Sequence, residues 1–371
     1  MKVTIEKGAL LKALSHVHNV VERRNAIPIL SNILIEGEGE SLRLTATDLD
    51  LSMVEAAPAE VAQAGATTVP AHTLFDIVRK LPDGAQIALA TPDAGRMVLA
   101  AGRARFTLAT LPMEDFPRLA EGDLPFRFTL PAADLKKLIE KTRFAISTEE
   151  TRHYLNGIYL HSLEVDGAAV LRAVATDGHR LAKVDLPAPD GADGMTGVII
   201  PRKAVAEVLK LLDGDEAEVE VALSDAKIRF RIGSATLTSK LIDATFPDYQ
   251  RVIPAGDGHL LTVGRQEFKE GVDRVATLAT DKTKAVKLAL ENGRMVLSVH
   301  NPENGTAEEE LEVGYAADRL EVGFNSRYLM DILEQIDGET VEAHLADANA
   351  PTLVKDSAHD AALYVLMPMR V

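Results

Sequence analysis

Apolar residues recur three and four positions apart in three matching stretches, "TVPAHTLFDIVRKLPDG" (68–84), "VIIPRKAVAEVLKLLDG" (198–214) and "VGFNSRYLMDILEQIDG" (322–338). That spacing lines one face of a helix. Each stretch opens on a β-rich segment and closes on Asp-Gly, so each predicts a strand, a helix and a turn. In the second copy Val205, Val208, Leu209 and Leu212 make the apolar stripe. A second helical pattern recurs at the same interval in "EKGALLKALSHVHNVV", "PAADLKKLIEKTRFAIS" and "GRQEFKEGVDRVATLA". Short runs between the helices alternate apolar and polar at period two, as in "SLRLTATDLDLSMVEA" and "KIRFRIGSATLTSKLI", and are broken by turn residues. Those runs read as antiparallel hairpins.

The copies lie about 125 to 130 residues apart, the size of an ordinary domain. Each repeat therefore holds two helices and roughly eight strands, an α+β fold with helices packed on antiparallel sheets. Proline-rich joints close the first copy near Leu124, in "MEDFPRLAEGDLPFRF", and the second near Gly256, in "DATFPDYQRVIPAGDGH". The expected domains are 1–124, 125–256 and 257–371.

Composition narrows the function. The chain of 371 residues is 46% apolar and contains no cysteine, which excludes disulfides, thiolate metal sites and a cysteine nucleophile. The N-terminal segment is interrupted by Glu6, Lys7 and Lys12 and lacks a signal-peptide core, and no run is long enough to span a membrane, so a cytoplasmic location is expected. A net charge of -16 argues against tight nucleic-acid binding by the surface as a whole. The positive charge is concentrated on the helical segments: Lys7, Lys12, Arg79, Lys80, Lys136, Lys137, Lys141, Arg143, Arg202, Lys203, Lys210, Lys269 and Arg274, followed by Lys282, Lys284 and Lys287. A basic helical surface on an acidic body would follow a phosphate backbone without reading bases.

Three places carry candidate chemistry. In "ATDGHRLA", Asp177 beside His179 invites an acid/base reading. The first repeat carries Thr47 and Asp48 in the same phase as Thr176 and Asp177, which makes the Thr-Asp pair a turn device and leaves any special role to Gly178, His179 and Arg180. His16 and His18, two apart on a helix, point about 200° apart and away from a shared metal ion. In "AGRARFTLATL" the pleat sets Arg103 and Arg105 on one face and Phe106 and Leu108 on the other, a sheet edge suited to a partner; the acidic run Glu308, Glu309, Glu310 of the third repeat is a complementary edge. Pairing first repeat to third, head to tail, closes a ring.

The repeats together with "IPILSNILIEG", "ATTVPA", "GRARFTLATLPMEDFP", "YLNGIYL", "ATDGHRLA", "PRKAV", "TSKLIDATFPDY", "HNPEN" and "YVLMPMRV" resemble the bacterial DNA sliding clamp family, the β subunit of DNA polymerase III, from end to end. The resemblance implies a non-catalytic, head-to-tail homodimer whose helices surround double-stranded DNA, and no cofactor or metal. Its implied partners are the replicative polymerase α subunit, the clamp loader, repair and translesion polymerases, ligase and mismatch repair proteins, all docking through short peptides. Carried over by position, the peptide pocket falls on Leu155, Thr176, Gly178, His179, Arg180, Leu181, Pro247, Arg251, Val252, Asn325, Tyr328, Val365, Leu366, Met367, Pro368, Met369 and Arg370. DNA contacts fall on Arg24, Arg152 and Tyr154. The dimer contact falls on Arg103, Arg105, Phe106 and Leu108 against Leu278, Glu303, Glu308, Glu309 and Glu310. Glu149, His153, Gln250 and Thr283 depart from the family pattern and are expected to alter the DNA loop and peptide preference. The rival readings are a ring-forming scaffold without DNA and an enzyme using Asp177 and His179.

Overall fold

The structure is a computed structural model, and residues 1–120, 122–213, 217–280 and 283–370 are described. Gly214, Lys282 and Val371, which figure in the sequence reading, lie outside the described residues. In the first third of the chain run β1 (Lys2–Glu6), α1 (Lys7–Val17), β2 (Asn32–Glu38), β3 (Ser41–Thr47), β4 (Leu51–Pro58), β5 (Glu60–Gln63), β6 (Gly65–Pro70), α2 (Ala71–Lys80), β7 (Gln86–Asp93), β8 (Arg96–Ala101) and β9 (Ala104–Ala109). The middle third holds β10 (Phe126–Pro131), α3 (Ala132–Arg143), β11 (Gly157–Val165), β12 (Ala168–Thr176), β13 (Arg180–Pro187), β14 (Val198–Pro201), α4 (Arg202–Leu211), β15 (Glu218–Leu223), β16 (Lys227–Ile232) and β17 (Ala235–Lys240). The last third holds β18 (His259–Gly264), α5 (Arg265–Ala276), β19 (Ala285–Glu291), β20 (Arg294–Asn301), β21 (Gly305–Glu312), β22 (Leu320–Asn325), α6 (Ser326–Leu333), β23 (Thr340–Leu345), β24 (Thr352–Asp356) and β25 (His359–Leu366).

The described residues form two compact bodies. The first comprises Met1–Lys136, Pro189–Thr196 and Lys203–Leu241. It contains a five-stranded sheet, β5-β1-β7-β8-β9, and an eight-stranded sheet, β10-β15-β16-β17-β4-β3-β2-β6. Here α1 lies on α2 and β4 and buries Leu10, Ala13, Leu14 and Val17. The second body comprises Lys137–Ala188, Gly197–Arg202 and Ile242–Val371. It contains an eight-stranded sheet, β14-β11-β12-β13-β25-β24-β23-β18, and a four-stranded sheet, β21-β20-β19-β22. On the latter α5 buries Phe268, Val272 and Val275 and packs against α6, which buries Leu329, Ile332 and Leu333. Each such leucine or phenylalanine contributes roughly 1.5–3 kcal/mol of burial.

Two bodies arise from three repeats because each eight-stranded sheet crosses a joint between repeats. Strand β4 of the first repeat pairs with β17 of the second, Ala235 opposite Glu55 through Ser239 opposite Leu51. Strand β13 of the second repeat pairs with β25 of the third, Arg180 opposite Leu366 and Leu181 opposite Val365. The middle repeat thus gives half its strands to each body.

The helical stripe needs one adjustment. Val205, Val208 and Leu212 are buried as expected, Leu209 is half-buried, and Leu211, outside the stripe, is buried in its place. Lys7 corrects the basic-surface reading more sharply. It is buried at 6% exposure, with Nζ 2.6 Å from Asp83, because it starts α1 directly after β1 and its stem packs inward. Lys12, Lys80, Lys137, Arg143 and Arg202 keep charges without an ion pair among the described residues, whereas Arg79, Lys136, Lys141, Lys203, Lys210, Lys269, Arg274 and Lys287 are paired to carboxylates of their own chain.

Candidate peptide groove, nucleic-acid loop and sheet edges

The Thr-Asp motif folds as a turn, and does so identically in two repeats. Thr176 Oγ1 accepts from the Gly178 N–H (3.1 Å) and donates to the Arg180 carbonyl (2.7 Å), while Asp177 Oδ1 accepts from the N–H groups of His179 (2.9 Å) and Arg180 (3.0 Å). In the first repeat Thr47 Oγ1 accepts from Leu49 and donates to the Leu51 carbonyl, and Asp48 Oδ1 accepts from Asp50 and Leu51. The third repeat keeps the Asx half of the device: Asn301 Oδ1 accepts from Glu303 and Asn304. The third position of the turn requires a left-handed backbone, with φ +86° at Gly178 and +81° at Leu49. With its oxygens engaged by two backbone amides and by Arg180 Nε (3.2 Å), Asp177 orients no imidazole.

This turn stands beside the C-terminal tail. Pairing of β13 with β25 brings Met367 to it, and the Met367 N–H donates to the His179 carbonyl (2.9 Å). Two residues on, the Met369 N–H donates to the Gly323 carbonyl (2.9 Å), which fixes the tail against β22. Leu155, Leu181 and Val365 meet in one apolar cluster with Val174, Ile199, Phe246, Tyr249 and Leu353. Tyr154, Tyr159, Ile242, Ala244, Ile253 and Leu363 pack against it, and Pro247, Arg251, Val252 (47% exposed) and Met367 (40% exposed), which lie near Phe246, Tyr249 and Val365 in sequence, are exposed. Exposed apolar side chains next to a buried apolar cluster are the kind of surface a peptide can dock on. Asn325 caps α6 by accepting from the Arg327 and Tyr328 N–H groups, and its Nδ2 donates to the Thr283 carbonyl (3.1 Å). Pro368 and Met369 are half-buried, and Arg370 and Gln250 are exposed.

Two of the expected groove residues face elsewhere. In the β pleat, Arg180 and Leu366 point to the opposite side from Leu181 and Val365. Leu366 is fully buried. The Arg180 guanidinium bonds Asp177, Asp331 and the Phe144 carbonyl (2.6 Å) and stacks over the rings of Tyr328 (4.4 Å) and Phe144 (5.1 Å).

The groove floor has a polar foundation that the sequence did not reveal. Tyr249 begins the short 3-10 turn Tyr249–Val252, which carries Arg251 and Val252, and its hydroxyl accepts from Arg172 Nη1 (3.1 Å). Arg172 is buried and held by both oxygens of Asp185 (2.6 and 2.7 Å). The Tyr249 hydroxyl lies 3.0 Å from His161 Nε2. Burial, with the Arg172 charge adding to it, lowers the His161 pKa to about 4, so near neutral pH the ring accepts the Tyr249 proton. Tyr159 stacks between His161 and Phe246, at 4.6 and 4.8 Å. The signal for this network was the lone Arg172 in the apolar run of β12 and Asp185 in β13, but the partners of Arg172 lie 13 and 77 positions from it.

Of the expected nucleic-acid contacts, Arg24 is exposed in a strand-free loop and Tyr154 is half-buried, with its ring edge-on to His153 (5.9 Å). Arg152 is not free: Glu149 receives its Nε (2.8 Å) and Nη2 (2.6 Å) in a two-pronged pair that holds the Glu149 carboxyl below its ordinary range. His16 bonds Glu55 (2.8 Å), and His18 bonds the Leu14 carbonyl and stacks on Phe75 (3.8 Å), so the two rings serve separate structural ends.

The outer sheets end in open edges, β9 on the five-stranded sheet and β21 on the four-stranded one. On β9 Arg105 is exposed, Phe106 half-buried and Leu108 buried; Arg103 is exposed in the turn before it. On β21 Glu308 is exposed without an ion pair among the described residues, Glu310 pairs with Arg294 (2.6 Å), and Glu309 is gripped by Arg274, which holds its carboxyl below the ordinary range. Glu303 is exposed and Leu278 half-buried.

Comparison with known proteins matches this architecture throughout. Models of the N-terminal, central and C-terminal domains of the DNA polymerase III beta subunit match residues 1–120, 129–248 and 250–370. The chain belongs to the beta sliding clamp family. It is 52% identical to the beta sliding clamp of Caulobacter vibrioides, over 100% of both chains. A DnaN sliding clamp from Bartonella birtlesii bound to griselimycin superposes with a TM-score of 0.98, at 52% identity and 100% coverage of both chains. The C. crescentus clamp, with PEG bound to a putative beta-motif tethering region, gives the same TM-score and identity, covering 100% of this chain and 99% of that one. The three repeats are clamp domains, and the protein is a DNA polymerase III processivity factor, a non-catalytic subunit. The enzyme reading of Asp177 and His179 falls with it. Among the described residues no helix is long and apolar enough to cross a membrane.

Proposed function

We propose that two copies of this chain close head to tail around duplex DNA, and that short peptides of its partners dock in the groove between Leu155, Leu181 and Val365. The observation that carries the ring is that the edge-to-edge joint is made twice within the chain and left open at both outer edges. Strands β9 and β17 follow equivalent hairpins, turning at Gly102 (φ +56°) and Gly233 (φ +54°), and β21 follows the Asn301 turn as β4 follows the Asp48 turn. Transferring the β4–β17 register sets Thr107 opposite Thr306 of a second copy, Arg105 opposite its Glu308 and Arg103 opposite its Glu310. Two exposed edges of opposite charge thereby satisfy each other. Phe106, Leu108 and Leu278 supply the apolar part, with Glu303 and Glu309 at its border.

The groove reading is supported by the apolar floor and exposed rim, and by the Caulobacter structure whose described ligand sits on a putative tethering region. Thr176 and Gly178 shape the turn, and His179, Pro247, Arg251, Val252, Asn325, Tyr328, Val365, Met367, Pro368, Met369 and Arg370 border it. Methionine and proline beside leucines fit many peptides. The partners are the replicative polymerase, the clamp loader, repair and translesion polymerases, ligase and mismatch repair proteins, met in the cytoplasm on the nucleoid. Arg24 and Tyr154 touch the DNA backbone weakly, which is all an encircled duplex requires, and Arg152 joins them only when Glu149 lets it go. Domain limits at 124 and 256 are supported by the strand-free stretches 110–120 and 241–258.

Sedimentation tests the ring joint: Arg105→Glu and Glu308→Arg each give monomers, and the double swap restores the dimer. Dimers from both single variants contradict the joint. Deleting residues 367–371 abolishes binding of a fluorescent leucine- and phenylalanine-bearing peptide; unchanged affinity contradicts the groove.

A further inference from the structure

A second cleft of about 450 Å³ opens on the other side of the His179 turn, bounded by the end of α3, the first residue of α4 and the start of α6. Its carboxylates are already engaged. Glu149 is clamped by Arg152, and both Asp177 and Asp331 bond Arg180. Three further arginines line it, Arg143, Arg202 and Arg327; all are exposed, and none has an ion-pair partner among the described residues. Three guanidinium groups from three separate elements line one cleft whose own carboxylates are taken up by Arg152 and Arg180, which leaves them to receive carboxylates from outside. His179 belongs to both places: its carbonyl holds the tail at the groove, and its side chain lines the cleft beside Tyr328, the two rings stacked at 6.0 Å.

We propose that this cleft is an extension of the peptide groove that receives acidic residues flanking the docked peptide core, so that partners with an acidic flank bind more tightly. The inference rests on the groove reading. His179 favours a peptide over a free anion, because its carbonyl holds the tail residue Met367 while the same residue lines the cleft.

The test uses the full-length protein and three fluorescent peptides sharing one leucine- and phenylalanine-bearing core: the core alone, the core with three glutamates before it, and the core with three glutamates after it. One of the two extended peptides binds roughly three- to tenfold tighter than the core at low salt. The gain disappears in the triple variant Arg143→Gln, Arg202→Gln, Arg327→Gln, while the core's own affinity is kept. Equal affinities for all three peptides, or a gain that survives in the triple variant, overturn the proposal. So does a triple variant that loses binding to a labelled DNA duplex while neither extension has any effect, which assigns the arginines to nucleic acid. Failure of the core peptide itself to bind refutes the groove instead. A melting temperature within a few degrees of the parent shows that the variant is folded.

Discussion

At the scale of the residue, the Thr-Asp turn shows how one local device serves different ends. Its third position is left-handed in two repeats, held by glycine in one and by leucine in the other. Gly178→Ala is expected to destabilise by about 1–2 kcal/mol, and more if Arg152 cannot yield, since an added Cβ would lie 2.7 Å from its Nη1. Leu49→Gly, at an exposed site, moves the other way by up to about 1 kcal/mol. Urea denaturation of the two variants reads both signs. A second residue-scale expectation concerns Arg152, whose charge Glu149 now occupies. Glu149→Gln releases it for a phosphate, so the salt dependence of duplex binding steepens by roughly 0.9 in log–log slope, one added contact. An unchanged slope would show that Arg152 stays away from DNA.

At the scale of the element, the 3-10 turn Tyr249–Val252 depends on strands remote from it in sequence. Tyr249→Phe removes the hydroxyl that Arg172 and His161 share, with an expected loss of about 1–2 kcal/mol in stability and a severalfold weaker peptide complex. His161 also ties this element to pH. Its pKa is about 4 in the folded chain and near 6.5 unfolded, so between those values the unfolded chain binds more protons. Stability is complete above pH 6.5 and falls as pH drops towards 4, and His161→Gln flattens that fall in a series of urea melts. The helices and hairpins were legible because periodicity and repetition are local signals, whereas the pairing of β4 with β17 and of β13 with β25 across repeats was not, and Leu155, Leu181 and Val365 were singled out only through family resemblance. The Arg172–Asp185–Tyr249 foundation was not legible, since each side chain has an ordinary surface identity until three strands and a turn converge. The inward turn of Lys7 and the burial of Arg180 against Asp331, Phe144 and Tyr328 were hidden likewise, because sequence gives the face of a strand but not which neighbour waits there.

At the scale of the whole molecule, the proposed ring accounts for how an acidic protein of net charge -16 acts on DNA, since its hold is then one of closure. Sheet pairing joins repeats twice within one chain, β4 with β17 and β13 with β25, and the proposed third joint uses the open edges β9 and β21. In that ring the acidic surface limits adhesion to DNA from outside, and Lys12, Lys80 and Lys137, without an ion pair among the described residues, supply weak, mobile contacts. The most direct test is retention on DNA of defined topology. Loaded by its clamp loader onto a nicked circle, the protein stays bound through a wash in high salt and is released once the circle is cut to a linear duplex with free ends. Equal retention on circle and linear duplex in that wash would contradict encirclement and assign binding to surface contact.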